Sequence, residues 1–192
     1  LAQLAGRFYN DAFWFAQQAC SSPRLVAWVG SPERIEAART RFWVALSKEV
    51  ELRSPENSEA MSMARLAACF EYAGAAMARP GALSDISRSY PLRLKLEQPL
   101  NEAVKTIHCG NGLFLETHVS SLIDLACQFS DREQTLAVYG FTRKQLLEFA
   151  MIVPASAIDR IASIGDALSF SPIWDGQDLI SVFSRKIVLP KF

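Results

Sequence analysis

An α/β fold built on a mainly parallel sheet is predicted by three features of the sequence. Short continuous apolar runs such as Leu25-Val26-Ala27-Trp28-Val29 do not alternate, as expected of strands covered on both faces. Between them lie longer stretches with apolar residues at helical spacing. Ser-Pro-Glu and lone Ser or Thr openings stand where the second kind of segment begins, which is where helix caps are needed. Strands alternating with helices of this length imply crossover units, and so a three-layer α/β/α arrangement.

In order, residues 1–15 read as a helix, with Leu1, Leu4, Phe8 and Ala12 at helical spacing. Residues 25–29 form the first strand, ended by Gly30. Ser31-Pro32-Glu33 opens a helix in which serine caps, proline takes the first turn and glutamate complements the dipole. Its buried face carries Ile35, Ala38, Phe42, Leu46 and Val50. Ser54-Pro55-Glu56 repeats that opening and predicts a helix over 54–78 that buries Met61, Leu66, Cys69, Tyr72 and Ala76, until Arg79-Pro80-Gly81 breaks it. Residues 92–96 alternate with period two and read as a strand with one wet face. A further strand is expected over 103–107, then a turn at His108-Cys109-Gly110-Asn111-Gly112 and a strand over 113–119. Ser120 is expected to cap a short helix through 129, and Thr142 one to about 152. Strands are expected over 134–139 and 158–164, and a last one over 185–190 whose open edge could pair with another subunit. Trp174-Asp175-Gly176 reads as a loop on the active-site side or a simple turn with a packed tryptophan.

At 192 residues the chain can bury one real core, and 50% hydrophobic with 21% charged residues is an ordinary globular balance. A net charge of +0 lacks the basic excess of a nucleic-acid binder. No apolar run approaches the roughly 20 residues that span a bilayer, and no signal-peptide pattern is present. The four cysteines form no CxxC pair, so neither a zinc site nor a disulfide framework is expected, and the cytoplasm is the expected compartment. Leu1 stands inside an apparent helix, so the chain is expected to be the catalytic part of a longer protein. No GxGxxG follows a strand, and Gly110-Asn111-Gly112 is a turn rather than a phosphate cradle.

The chemistry centres on Gln17-Gln18-Ala19-Cys20-Ser21-Ser22-Pro23-Arg24. A thiol at a break between helix and strand has rigid neighbours and backbone N–H groups able to face an oxyanion. Free cysteine is also among the most buried residue types, so a packed Cys20 is the competing reading. A thiol of ordinary pKa near 8.5 needs help to attack near neutrality. Arg24 is the nearby cation, and closing the end of the strand is its bland role. Gln18 and Ser21 are the candidates for orienting substrate or its oxyanion. His108 and His118 are the only histidines, and either could be simply packed.

The run Phe8-Tyr9-Asn10-Asp11-Ala12-Phe13, the Gln17 to Arg24 segment and Trp28-Val29-Gly30 together resemble the nucleophile segment of the long-chain acyl reductases of bacterial bioluminescence (the LuxC family). These are a branch of the aldehyde dehydrogenase superfamily. Gly110-Asn111-Gly112-Leu113-Phe114, Gln134 to Gly140, Asp159-Arg160-Ile161 and Trp174-Asp175-Gly176 extend the resemblance over nearly the whole chain. It implies the superfamily's catalytic-domain fold, with the nucleotide-binding domain mostly ahead of Leu1. It implies Cys20 as the acyl carrier, NADPH as hydride donor, and long-chain acyl-CoA or an acyl-activating protein as partner, in a homo-oligomer. By the same resemblance His108 lies where the cofactor ribose is contacted, although the usual glutamate-x-phenylalanine-glycine-proline pattern is missing. Gln17 stands where much of the superfamily has glycine, a departure that fits the acyl reductase branch. The reaction expected is reduction of a long-chain acyl thioester to fatty aldehyde through acyl-Cys20. A Cys20-dependent acyltransferase or thioesterase, and a non-catalytic oligomerisation domain, are the alternatives.

Overall fold

The computed structural model describes residues 1–80 and 90–190. The elements in order are α1 (Ala2–Phe13), β1 (Leu25–Val29), α2 (Pro32–Arg53), α3 (Glu59–Gly74), β2 (Ala78–Pro80), β3 (Leu92–Leu96), α4 (Glu102–Thr106) and β4 (Leu113–Val119). They continue with α5 (Leu122–Ala126), β5 (Thr135–Val138), α6 (Arg143–Ile152), β6 (Arg160–Ser163), β7 (Ile173–Trp174), β8 (Gln177–Asp178) and α7 (Leu179–Val182). The central sheet has the order β1-β4-β3-β2, parallel except for β2. A separate parallel pair is formed by β5 and β6, and β7 and β8 make a small hairpin.

Side-chain alternation divides the central sheet into two apolar faces. On one face Leu25, Ala27, Val29, Leu94, Leu113 and Leu115 pack with Cys69 and Tyr72 of α3, Val104 of α4, Leu125 of α5 and Phe149 of α6. On the other, Val26, Trp28 and Phe114 meet Phe8 and Phe13 of α1 and Phe42, Trp43 and Leu46 of α2. Phe8 lies edge-on to Phe42 at 5.2 Å between ring centroids, a favoured aromatic geometry. Buried in that aromatic face, the Glu116 carboxylate accepts both indole N–H groups, of Trp28 and Trp43, at 2.8 Å each.

The expected α/β class and mainly parallel sheet are present, and several elements differ from the sequence reading. Ser54 does not open a helix; it closes α2 in the left-handed region at φ 44°, with its N–H on Val50 O. Pro55 disfavours helical backbone at Ser54, and the cap of α3 is Ser58, whose hydroxyl accepts from the Met61 N–H. The helix α3 ends at Gly74, leaving Ala76 exposed and Met61 and Leu66 half-buried. Residues 103–107 are helical rather than extended, because the Asn101 side chain accepts the Val104 N–H and starts α4. Ser121, not Ser120, caps α5, through a capping box with Asp124. Thr142 caps α6 as expected, in a capping box with Gln145. Residues 185–190 form no strand and leave Ile187, Val188 and Leu189 exposed. The expected break at Arg79-Pro80-Gly81 falls partly outside the described residues; Ala78–Pro80 itself pairs with β3.

The β5–β6 pair is tied to α1 through the loop after β6. Asp11, 1% exposed, accepts the Gly165 N–H at 2.6 Å and the Ala167 N–H at 3.1 Å. Burial pushes its carboxyl pKa up, and those two amides pull it down. Arg7 pairs with Asp166 at 2.9 Å beside it. Among the described residues no helix is long and apolar enough to cross a membrane.

Candidate functional site

The helix α1 ends at Phe13 because the chain then turns into left-handed backbone, at Ala16 (φ 49°) and Gln17 (φ 62°). Such conformations cost roughly 1–2 kcal/mol per non-glycine residue, so something must hold them. The Gln17 side chain does so. Fully buried, it donates to Pro23 O at 2.7 Å and Leu113 O at 2.8 Å, and accepts the Gly112 N–H at 2.9 Å. Its amide therefore joins the end of the Cys20 loop to the turn ahead of β4. Gln17 is thus the pin of the loop.

The partner turn is equally constrained. Gly110, Asn111 and Gly112 follow one another with φ 68°, 57° and 80°. A Cβ at Gly110 would run into the Gln18 amide, and one at Gly112 into the Tyr90 ring, so both positions require glycine. The Asn111 N–H donates to Ala16 O at 2.9 Å. Gln18 Nε2 donates to Cys109 O at 3.0 Å and to Asn111 Oδ1 at 3.1 Å. From α3, the buried Arg65 donates to Asn111 O at 2.7 Å and lies over the Tyr90 ring at 4.7 Å.

Cys20 occupies the tip of what this clamp presents. The Ser22 N–H on Ala19 O closes a turn with Cys20 and Ser21 at its two central positions. The Cys20 thiol is exposed and Ser21 is half-buried. Neither amide has a protein acceptor among the described residues. Ser22, 6% exposed, buries a hydroxyl that has no partner among the described residues. Chemically, the arrangement offers a thiol beside two free N–H donors on a stiff mount, the requirements for attack on a carbonyl and for meeting its oxyanion.

His108 is brought beneath this loop, but both ring nitrogens serve the backbone. Gly110 N–H donates to Nδ1 at 3.0 Å, which assigns the proton to Nε2 and directs it to Leu113 O at 2.9 Å. Burial first, and then the Arg24 guanidinium, pull its pKa down to about 4, so the ring is neutral near pH 7. Arg24 also faces Cys109, whose thiol pKa burial nevertheless raises. His118 bonds Gly30 O at 3.0 Å on the exposed rim of β4. Cys69 is packed in the core, its thiol pKa raised by burial. Trp174 stacks with Phe170 and receives Arg160 over its ring at 5.2 Å, with Asp175 and Gly176 turning the β7–β8 hairpin.

The sequence reading did not foresee the aromatic seat of Glu116, the Arg65 strut or a cavity at one end of the sheet. That cavity, about 820 Å³, lies at the carboxyl ends of β1, β4 and β5, bordered by Val29, Gly30, Ser120, Gly140 and Phe141. Cys20 precedes β1 and lies at the opposite, amino end of the sheet. Only strand order could have signalled it, since ligand crevices of doubly wound sheets open at the carboxyl ends. Among the described residues no three His, Cys, Asp or Glu are grouped to hold a metal. No protein-family model matches the chain, and no match was found among the curated proteins.

Proposed function

We propose that this chain is the acyl-capturing part of a long-chain acyl thioester reductase, with the three-layer arrangement of the aldehyde dehydrogenase catalytic domain. The observation that carries the reading is the exposed Cys20 thiol on a turn pinned by Gln17 and Gln18 to the Gly110-Asn111-Gly112 turn. Strained backbone that is over-determined by its surroundings is typical of sites where geometry is used.

In this mechanism the Cys20 thiolate attacks the carbonyl of a long-chain acyl thioester. The free Cys20 and Ser21 amides meet the tetrahedral oxyanion. Collapse breaks the bond to the donor's sulfur, which leaves as thiolate, and forms acyl-Cys20. Two-electron reduction of that thioester to aldehyde takes a hydride, which the resemblance assigns to NADPH. The described residues do not make a dinucleotide cradle: the one glycine-rich turn is filled by Gln18 and Tyr90, and both nitrogens of His108 are engaged. The part of the reaction argued from these residues is the formation of acyl-Cys20.

The test is intact-mass measurement of the natural protein and its Cys20→Ser variant after exposure to a long-chain acyl-CoA, followed by NADPH. The expected result is an acyl adduct on Cys20 that NADPH discharges as aldehyde. Release as free acid alone would move the assignment to a thioesterase or acyltransferase. An adduct undiminished in Cys20→Ser would remove Cys20 from the chemistry. Absence of any adduct favours the non-catalytic reading, to which the exposed Ile187, Val188 and Leu189 already lend an interaction surface.

A further inference from the structure

Of the buried side-chain nitrogen and oxygen atoms of the described residues, Ser22 Oγ is the one left without a hydrogen-bond partner. Buried polar groups are almost always paired, because a hydroxyl taken out of water and left unbonded costs free energy. This exception stands two residues from the exposed Cys20 thiol, on the turn that carries it. The backbone around it is fixed in both directions. Ser22 N–H donates to Ala19 O at 3.0 Å, Gln17 Nε2 holds Pro23 O at 2.7 Å, and Arg24 O accepts the Leu115 N–H at 2.9 Å. Pro23 further confines the Ser22 backbone. The Ala19 and Pro23 carbonyls already have their donors, so the hydroxyl adds nothing to the clamp. What the clamp leaves free is rotation of the Cys20 and Ser22 side chains about their Cα–Cβ bonds.

We propose that the Ser22 hydroxyl is the hydrogen-bond donor for the Cys20 sulfur whenever that sulfur carries charge. This rests on Cys20 as the acyl carrier, and it adds a donor for sulfur to the two amides that meet oxygen. Residues two apart are separated by at most about 7 Å between Cα atoms, and by less within a turn. Both side chains end one atom beyond Cβ, so staggered rotamers of the two span that gap with the backbone still. When the thiol loses its proton to solvent, the Ser22 hydroxyl turns toward the sulfur anion and donates, keeping its own proton. An unpartnered hydroxyl breaks no bond in turning, whereas one already paired in the clamp would. Attack on the acyl carbonyl then consumes the charge as the carbon–sulfur bond forms, and the donor's thiolate leaves. The hydroxyl is released, ready for the Cys20 thiolate that is expelled when the acyl group departs.

The test compares Ser22→Ala with the natural protein in three measurements: the urea midpoint, mass-mapped alkylation of Cys20 by iodoacetamide near neutral pH, and acylation by a long-chain acyl-CoA. Removing an unpaired buried hydroxyl should leave the midpoint unchanged or raise it. A hydrogen bond to charged sulfur favours the thiolate by about 10-fold, and the lower nucleophilicity of a stabilised thiolate returns part of that gain. Alkylation should therefore slow by about 3-fold in Ser22→Ala, and acylation by a similar factor. Ser22→Thr keeps a hydroxyl and should restore alkylation to within about twofold of the natural rate. A lowered Ser22→Ala midpoint overturns the proposal whatever the rates, since the hydroxyl then has a partner in the folded chain. Unchanged rates overturn it too, as does a fall in acylation alone, which moves the hydroxyl from the sulfur to the carbonyl oxygen. Iodoacetamide needs no acyl donor. A natural protein that takes no acyl group therefore refutes the reductase reading, while the alkylation ratio still decides the part played by Ser22.

Discussion

Replacing Gln17 with alanine should be among the most damaging single changes in the chain, although it adds no bulk and removes no large apolar group. Alanine keeps the left-handed strain at φ 62° and removes only the amide. Left behind are the buried Gly112 N–H without its acceptor, the part-buried Pro23 carbonyl without its donor, and the Leu113 carbonyl with only its His108 bond. At about 1–2 kcal/mol for the Gly112 N–H and somewhat less for each of the two carbonyls, the loss comes to about 2–4 kcal/mol. For a chain of this size that corresponds to about 5–15 °C in Tm. Gln17→Gly loses the same bonds but is at ease in left-handed backbone, so it should be about 1 kcal/mol less damaging than Gln17→Ala. The assay is urea unfolding followed by far-ultraviolet circular dichroism, which reports the whole fold rather than the loop. A Gln17→Ala midpoint equivalent to under ~1 kcal/mol, or Gln17→Gly falling below Gln17→Ala, would refute the account of the clamp.

Three further outcomes follow from the same geometry. The His108 imidazole stays neutral in the folded chain down to about pH 4 against an ordinary 6.5, so between those values the unfolded state binds the extra proton and stability falls as pH falls. The loss should total about 3 kcal/mol, and His108→Gln should flatten that part of a stability profile measured by urea unfolding from pH 7.5 to 4. Glu116→Ala strands one buried and one part-buried indole donor and should cost about 2–3 kcal/mol, with Glu116→Gln well below that, read by urea unfolding monitored by circular dichroism. In mass-mapped alkylation of the native chain, Cys20 and Cys127 should react first and Cys109 more slowly, while Cys69 should wait for unfolding; early labelling of Cys69 would contradict its place in the core.

What could be read from the sequence was what local pattern controls. The uninterrupted run at β1 and the alternation at β3, observed as buried and exposed in turn, were legible because strand burial imprints itself directly on residue type. Thr142 announced α6 in the same way. At Ser54 the pattern misled, since Ser-Pro-Glu opens one helix at Ser31 and follows the end of another at Ser54; only the left-handed close of α2 separates the two. Residues 103–107 looked extended because Val104, Thr106 and Ile107 favour strands, but a single Asn101 cap decided for helix. The meeting of Gln17 with Gly112 spans 95 positions, and no spacing rule reaches that far. Cys20 was legible as a candidate. The role of its neighbour Gln17 as a buried pin was not, because glutamine is mostly an exposed residue.

The cost of the Cys20 mount argues for its purpose. Ala16, Gln17 and Asn111 are all non-glycine residues in left-handed backbone, and they converge on one contact where Asn111 N–H meets Ala16 O. At roughly 1–2 kcal/mol each, the strain is a sizeable part of the 5–15 kcal/mol that holds an ordinary domain together. A chain that needed only to pass from α1 to β1 has cheaper turns, most simply with glycine at 16 and 17. The strain is offset by Gln17, Gln18 and Arg65, none of which touches the thiol in a hydrogen bond, and all of which fix the position of the turns around it. Fixing donors and nucleophile before the substrate arrives is what lowers a barrier, because no ordering remains for the transition state to bear. If Cys20 only filled space, Gln18→Ala would leave its alkylation rate and any acyl transfer unchanged. With Cys20 as the acyl carrier, Gln18→Ala should lower kcat for acylation by about 10-fold or more while its simple alkylation rate stays within a factor of two.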